Sequence, residues 1–113
     1  MARILPDEID DLLELTRDPE PKLRSEAVRA LCPCHVKANH ERIWERFFEM
    51  VKDEDMNVRR SVFHALGDGS PKALESRAVA AVEEMQRDPN PRLQRRARKL
   101  IAHYRRTGQI NIL

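Results

Sequence analysis

Aromatic side chains and glycine are scarce in this chain. Aromatic residues make up 4% of the 113 residues, and there are 3 glycines. All-β sandwiches and barrels depend on β-branched and aromatic residues and on glycine-containing turns, so this composition argues against both. The 2 cysteines are too few for a disulfide framework, which leaves them as thiols or metal ligands.

Long hydrophobic runs are also missing. No apolar stretch approaches the ~20 residues that cross a bilayer, and the segment from Met1 to Asp7 has no apolar signal region. We therefore expect no membrane association and a cytoplasmic location. Apolar residues make up 41% of this 13.2 kDa chain, which is enough for one hydrophobic core. We therefore expect a single domain over residues 1–113.

Charge is distributed unevenly along the chain. Residues 1–56 contain 9 Lys and Arg against 14 Asp and Glu, whereas residues 57–113 contain 12 against 5, which together give the net charge of +2. Such a gradient says little about the fold. It does indicate that the C-terminal half favours an acidic partner.

A repeat of 35 residues organises the sequence. Asp18, Asp53 and Asp88 each open a similar segment, and apolar residues recur at the same offset. The matched sets are Ile9, Trp44 and Val79; Leu12, Phe47 and Val82; Leu15, Met50 and Met85; Leu23, Val58 and Leu93; Ala27, Val62 and Ala97; and Leu31, Leu66 and Ile101. Units of this kind bury their apolar faces by stacking on one another.

Each unit is predicted to be a pair of helices, because its apolar residues are spaced three or four apart. The predicted helices span about 7–17, 22–32, 40–52, 56–66, 71–87 and 91–106. The repeats then cover about 5–35, 39–70 and 71–106, with a tail at 107–113. Gly67 and Gly69 are expected to turn the chain, and Ser70 to cap the following helix. The prediction is an all-α, right-handed solenoid of three helical hairpins.

These segments resemble HEAT repeats over about residues 7–106. The HEAT pattern has a turn aspartate, a small aliphatic residue five positions later, and then an arginine. Asp18–Leu23–Arg24 and Asp53–Val58–Arg59 match this pattern, whereas the third unit has Gln94 in the arginine position. The resemblance implies a structural ladder between neighbouring units formed by Asp18, Arg24, Asp53, Arg59 and Asp88.

The second helix of each unit is expected to line the concave side, which is the usual binding surface of solenoids. Its polar positions become more basic toward the C-terminus. The candidate contacts are Arg29, Arg60, His64, Arg92, Arg95, Arg96 and Lys99. We expect a non-catalytic scaffold that binds another protein through an acidic surface or peptide. Nucleic acid is the alternative partner, and an ordinary solvated helix face is the plain interpretation.

The loop Cys32-Pro33-Cys34-His35 offers possible metal ligands. Together with His64, its thiols and imidazole form a weak candidate metal site. Against it, a lone Cys-x-Cys is not an established zinc pattern, and Cys32 is expected to pack as a small apolar residue. We therefore expect no cofactor.

Catalytic patterns are absent as well. Iron-dependent enzymes among the HEAT-like arrays, such as deoxyhypusine hydroxylase, use repeated His-Glu dipeptides, and this chain has only His40-Glu41. Trp44, Phe47, Phe48 and Phe63 are expected in the core of the middle unit rather than around a cofactor. Ile110, Ile112 and Leu113 in the tail are expected to fold back over the stack, to pair with another chain, or to be disordered.

Overall fold

The computed structural model describes residues 6–33 and 40–113, with side chains from residue 8 onward. These residues form six α-helices, one short 3-10 helix and no strand, which confirms the all-α prediction. The helices are α1 (Pro6–Leu15), α2 (Pro21–Leu31), α3 (Glu41–Met50), α4 (Met56–Gly69), α5 (Glu75–Met85) and α6 (Pro91–Thr107), with the 3-10 helix at Lys72–Leu74 before α5. Among the described helices, none is both long and apolar enough to cross a membrane.

The turn aspartates end the first helix of each unit in the same way. Each accepts a hydrogen bond from the backbone N–H two residues further on, which fixes a tight Asx turn. The three bonds, all 2.9 Å long, join Asp18 to Glu20, Asp53 to Asp55, and Asp88 to Asn90. The side chains of Asp55 and Asn90 then cap the N-termini of α4 and α6.

The apolar positions that recur every 35 residues form one continuous core. Ala27 on α2, Val62 on α4 and Ala97 on α6 are fully buried. Leu31, Leu66 and Ile101 are buried one turn further along these helices. Residues of the first unit are less covered, since Leu12, Leu15 and Leu23 are partly exposed.

Four of the five aromatic residues lie in the middle unit, as the sequence predicted, and Tyr104 lies on α6. Trp44, Phe47 and Phe63 are buried, and the rings of Trp44 and Phe47 meet edge to face with centroids 5.3 Å apart. Phe48 is only partly buried and lies under the guanidinium group of Arg77, 4.4 Å from its ring centroid. These rings anchor α3 between its neighbours.

The segment from Gly67 to Ser70 differs from the prediction. Helix α4 does not end at Gly67 but continues to Gly69. The side chain of Ser70 does not cap the following helix. Instead, the backbone N–H and the hydroxyl of Ser70 both donate to Oδ1 of Asn111, at 2.9 and 3.1 Å. The physical reason is that Gly67 lies against the side chains of Leu113 and Leu100, so the missing side chain makes room for the tail.

The tail folds back onto the C-terminal end of α4. Gly108 ends α6 with φ 74°, the left-handed conformation that glycine adopts without strain. Ile110 is buried, and the backbone N–H of Leu113 donates to the carbonyl of Gly67 at 2.9 Å. Of the three alternatives for the tail, the structure therefore shows intramolecular packing, with Ile112 and Leu113 still 44% and 40% exposed.

Candidate partner-binding face

All seven candidate contact residues project from the second helices of the units. We call this surface the basic face and define it by the exposed residues Arg29 on α2; Arg60 and His64 on α4; and Arg92, Arg95, Arg96 and Lys99 on α6. The 35-residue spacing places them in corresponding positions on neighbouring helices. The inward sides of the same helices carry the core, so each helix holds its basic residues firmly toward solvent.

A depression between α2 and α4 forms the first part of the basic face. Its volume is about 370 Å³, and its polar lining includes Arg29, Arg60, His64 and Arg96. The hydroxyl oxygens of Ser25 and Ser61 hydrogen-bond to each other at 2.9 Å across the two helices. The lining of the depression thus combines a pair of small hydroxyl groups, hydrogen-bonded to each other, with basic side chains.

Two further depressions continue the basic face along α6. One, of about 290 Å³, is lined by Arg60, Arg92, Arg95 and Arg96. The other is bordered by Arg96, Lys99 and the tail. Arg96 borders all three depressions, and its guanidinium group stands 5.7 Å from the ring centroid of Phe63. Arg96 therefore joins the depressions into one surface.

The cations of the basic face have no carboxylate partner in the described part of the chain. Among the side chains that the structure describes, no Asp or Glu oxygen lies within 4.0 Å of the charged groups of Arg29, Arg60, Arg92, Arg95, Arg96 or Lys99. Their hydrogen-bond donors are available to a bound molecule. A guanidinium group offers five donors in a planar fork that matches carboxylate or phosphate.

The arginines of the ladder positions are bound quite differently. Arg24 donates to both carboxylate oxygens of Asp53 at 3.1 and 3.0 Å, and also to the carbonyl of Asp18 at 2.8 Å. The hydrogen bonds that Arg24 donates to Asp53 raise the pKa of Arg24 above its usual value, against the opposing effect of burial. Each such arginine satisfies its own turn and holds the turn of the next unit.

The second ladder pair is the more buried of the two. Arg59 donates to both carboxylate oxygens of Asp88 at 2.7 and 3.1 Å and to the carbonyl of Asp53 at 2.8 Å. The side chains of Arg59 and Asp88 are 9% and 3% exposed. Because both ladder arginines are buried and bound to a carboxylate and to a turn carbonyl, we assign them to the fold.

The structure describes two of the four residues that the sequence offers as metal candidates, Cys32 and His64. Cys34 and His35 lie outside the described residues. Cys32 is buried, as expected for a residue packed like a small apolar side chain, and its thiol donates to Oδ2 of Asp68 at 3.7 Å. His64 lies close to both, so three ligand atoms are within 4.8 Å of one another.

The sequence did not indicate Asp68, or the residues that lie beside the tail, as candidate site residues. Asp68 follows His64 by four residues, a spacing that places two side chains on one helix face. That signal was hidden because the segment Gly67–Gly69 was assigned to a turn. His103 and Arg106 also border the basic face beside the tail.

Stacked hairpins, a shared core and arginine–aspartate pairs between successive turns define an α-helical solenoid of short repeats. A family model described as HEAT repeats matches residues 9–102. The chain therefore belongs to the HEAT-repeat family, which confirms the resemblance drawn from the sequence. Members of this family are generally protein-interaction scaffolds. Comparison with curated proteins and with solved structures gives no match.

Proposed function

We propose that this chain is a non-catalytic scaffold module that binds an acidic segment of another protein on the basic face. One observation carries the proposal. Six cations share this face, and none of them has a carboxylate partner in residues 6–33 and 40–113. Like charges held side by side on a folded surface repel one another, and a bound anion removes that cost.

The shape of the basic face suits an extended segment. The three depressions run from α2 across α4 to α6 and share Arg96, so a peptide several residues long can contact each of them in turn. The arginines provide bidentate contacts to Asp or Glu side chains. The exposed tail residues Ile112 and Leu113 offer limited apolar surface beside the cations. Binding should therefore be dominated by charge and weaken with salt.

A peptide-binding measurement tests the proposal. The probe is a fluorescein-labelled peptide of alternating Glu and Ser, and its anisotropy is followed against the full chain. We expect Arg92→Glu/Arg95→Glu to weaken binding at least about tenfold, which corresponds to about 1.4 kcal/mol. The matched control is Lys72→Glu/Arg87→Glu, which changes the net charge equally and alters exposed cations away from the basic face.

The control decides between a site and a general charge effect. Equal weakening by both double variants, or no binding by the unmodified chain at low salt, would overturn the proposal. Thermal unfolding of all variants checks that the fold is retained. A binding difference between variants of equal charge then reports position on the surface rather than net charge.

Nucleic acid is the second candidate, because phosphates also fit a row of arginines. The structure favours it less. Single strands are commonly bound by stacking bases on exposed aromatic rings, and in the described residues every aromatic ring is buried or partly buried. Labelled duplex and single-stranded DNA in the same anisotropy assay test this candidate. Tight binding with a steep loss on adding salt would replace the protein partner by nucleic acid.

A further inference from the structure

At one end of the basic face, α2 and α4 bring together three side chains of the kinds that bind metal ions, namely a thiol, an imidazole and a carboxylate. Cys32 follows the last residue of α2, while His64 and Asp68 lie one turn apart on α4. The ligand atoms of Cys32, His64 and Asp68 are all within 4.8 Å of one another. We call these three residues the Cys-His-Asp cluster.

The distance between Cys32 and Asp68 in the Cys-His-Asp cluster matches a small tetrahedral ion. Zinc bonds to N, O and S ligands of about 2.0–2.3 Å place neighbouring ligand atoms about 3.3–3.8 Å apart. The Sγ of Cys32 and Oδ2 of Asp68, at 3.7 Å, already satisfy this separation. His64 is exposed and its ligand nitrogen lies within 4.8 Å of the other two ligand atoms, so a change of side-chain torsion can bring it to bonding distance.

We infer that the Cys-His-Asp cluster binds a divalent transition metal ion, with zinc as the best match. A thiolate and an imidazole select zinc over the hard ions magnesium and calcium, which prefer oxygen ligands alone. The thiolate and the carboxylate together neutralise the double positive charge of the ion. Binding releases the thiol proton of Cys32 to solvent, so affinity falls with decreasing pH.

The cluster offers three protein ligands and leaves one position of a tetrahedron open. Cys32 and His64 both border the depression between α2 and α4, so the open position lies toward that depression. His64 belongs to both the basic face and the cluster, whereas Arg92 and Arg95, whose reversal tests the acidic-segment proposal, lie outside the cluster, so the two proposals are tested independently.

Metal binding is measured on the full chain after treatment with a chelator. Zinc titration by calorimetry is expected to show one equivalent bound, and cobalt to give the near-ultraviolet charge-transfer absorption of a thiolate ligand. His64→Gln and Asp68→Asn should each weaken zinc binding at least about tenfold. Even residues that only hydrogen-bond to a metal ligand cost about 10–100-fold in metal affinity when they are replaced, so the loss of a ligand should cost no less. Cys32→Ala should also remove the charge-transfer absorption.

Matched controls replace the same residue types elsewhere. His103→Gln on α6 and Asp10→Asn on α1 should leave zinc affinity unchanged. Because His64 is exposed and Asp68 is partly exposed, their variants are expected to fold, which thermal unfolding verifies. Zinc should also raise the unfolding temperature of the unmodified chain, and at the same zinc concentration it should raise that of Asp68→Asn by less, because a ligand stabilises the folded state by an amount that rises with its affinity.

Three results would overturn the inference. The first is no zinc binding by the chelator-treated chain. The second is binding that His64→Gln and Asp68→Asn leave unchanged. The third is a cobalt absorption that Cys34→Ser removes and Cys32→Ala does not, which would place the ion outside the Cys-His-Asp cluster. Persistence of the absorption in Cys34→Ser, with loss in Cys32→Ala, supports the cluster as described.

Discussion

Arg59 and Arg60 are neighbours in the sequence and have opposite roles in the structure. Arg59 is buried and donates to both carboxylate oxygens of Asp88, whereas Arg60 is exposed on the basic face with no carboxylate within 4.0 Å in the described chain. A rotation of about 100° per helical residue separates them. The side of the helix, not the residue type, decides whether an arginine stabilises the fold or remains available for binding.

The outer face, by which we mean the exposed side of α1, α3 and α5 together with the turn residues just after α1 and α3, sharpens the comparison. Its cations are exposed, like those of the basic face, yet they pair with carboxylates of the adjacent unit. Four of these pairs are 32 residues apart in sequence: Asp10 with Arg42, Arg17 with Glu49, Glu45 with Arg77, and Lys52 with Glu84. Exposure alone therefore does not explain the free cations of the basic face.

The largest expected effect comes from the buried ladder. Asp88→Ala leaves the charge of Arg59 buried without its partner, and we expect a loss of about 3–5 kcal/mol in the free energy of unfolding. Asp10→Ala, which breaks an exposed outer-face pair with Arg42, should cost less than about 1 kcal/mol. Urea unfolding measures both. Equal losses would show that burial does not distinguish the ladder from the outer face.

The next effect concerns the tail, which borders the basic face at α6. Gly67→Ala favours helix by about 1 kcal/mol, but its Cβ would lie 2.6 Å from Cδ1 of Leu113 and 3.1 Å from Cδ2 of Leu100. We expect no gain in stability in the unmodified chain. In a Leu113→Ala background, Gly67→Ala should stabilise by up to about 1 kcal/mol relative to Leu113→Ala alone. Additive effects in this double-mutant cycle, measured by urea unfolding, would contradict the contact.

A smaller effect distinguishes available cations from structural ones. Arg92→Gln/Arg95→Gln removes mutual repulsion on the basic face, so stability should be unchanged or rise by up to about 0.5 kcal/mol. The same variant should bind the acidic peptide more weakly. Thermal unfolding at low and high salt measures the gain, which salt should reduce. A clear loss of stability would mean that these arginines serve the fold after all.

The smallest effect is a pH dependence on the outer face. Hydrogen bonding from Arg77 lowers the pKa of Glu45 below its ordinary value of 4.5. A lowered pKa in the folded state gives stability that is present above the unfolded value and is lost as pH falls through the folded value. Below pH 4.5, the unfolding temperature of Glu45→Gln should therefore decline slightly less steeply than that of the unmodified chain. Superimposable acid profiles for the two proteins would contradict this.

The fold was largely predictable from sequence because one spacing carries it. The 35-residue offset of Asp18, Asp53 and Asp88 placed the helices, the core and the basic face, and the structure brings the seven basic-face residues to one side. Residue interactions that do not repeat were not predictable. Asp68 beside Cys32 and the tail against Gly67 each occur once, so no periodic signal marks them, and the glycines at 67 and 69 were assigned to a turn by their usual preference.

The direction of the ladder has a consequence for building longer arrays. Each arginine holds the aspartate turn that follows it, so the middle unit carries both halves of the connection: Asp53 receives Arg24, and Arg59 holds Asp88. A duplicated middle unit inserted between the first and third would find a matching neighbour on both sides. Array length could thus be engineered by whole 35-residue insertions, whereas an addition after α6 would also require an arginine at Gln94 and removal of the folded-back tail.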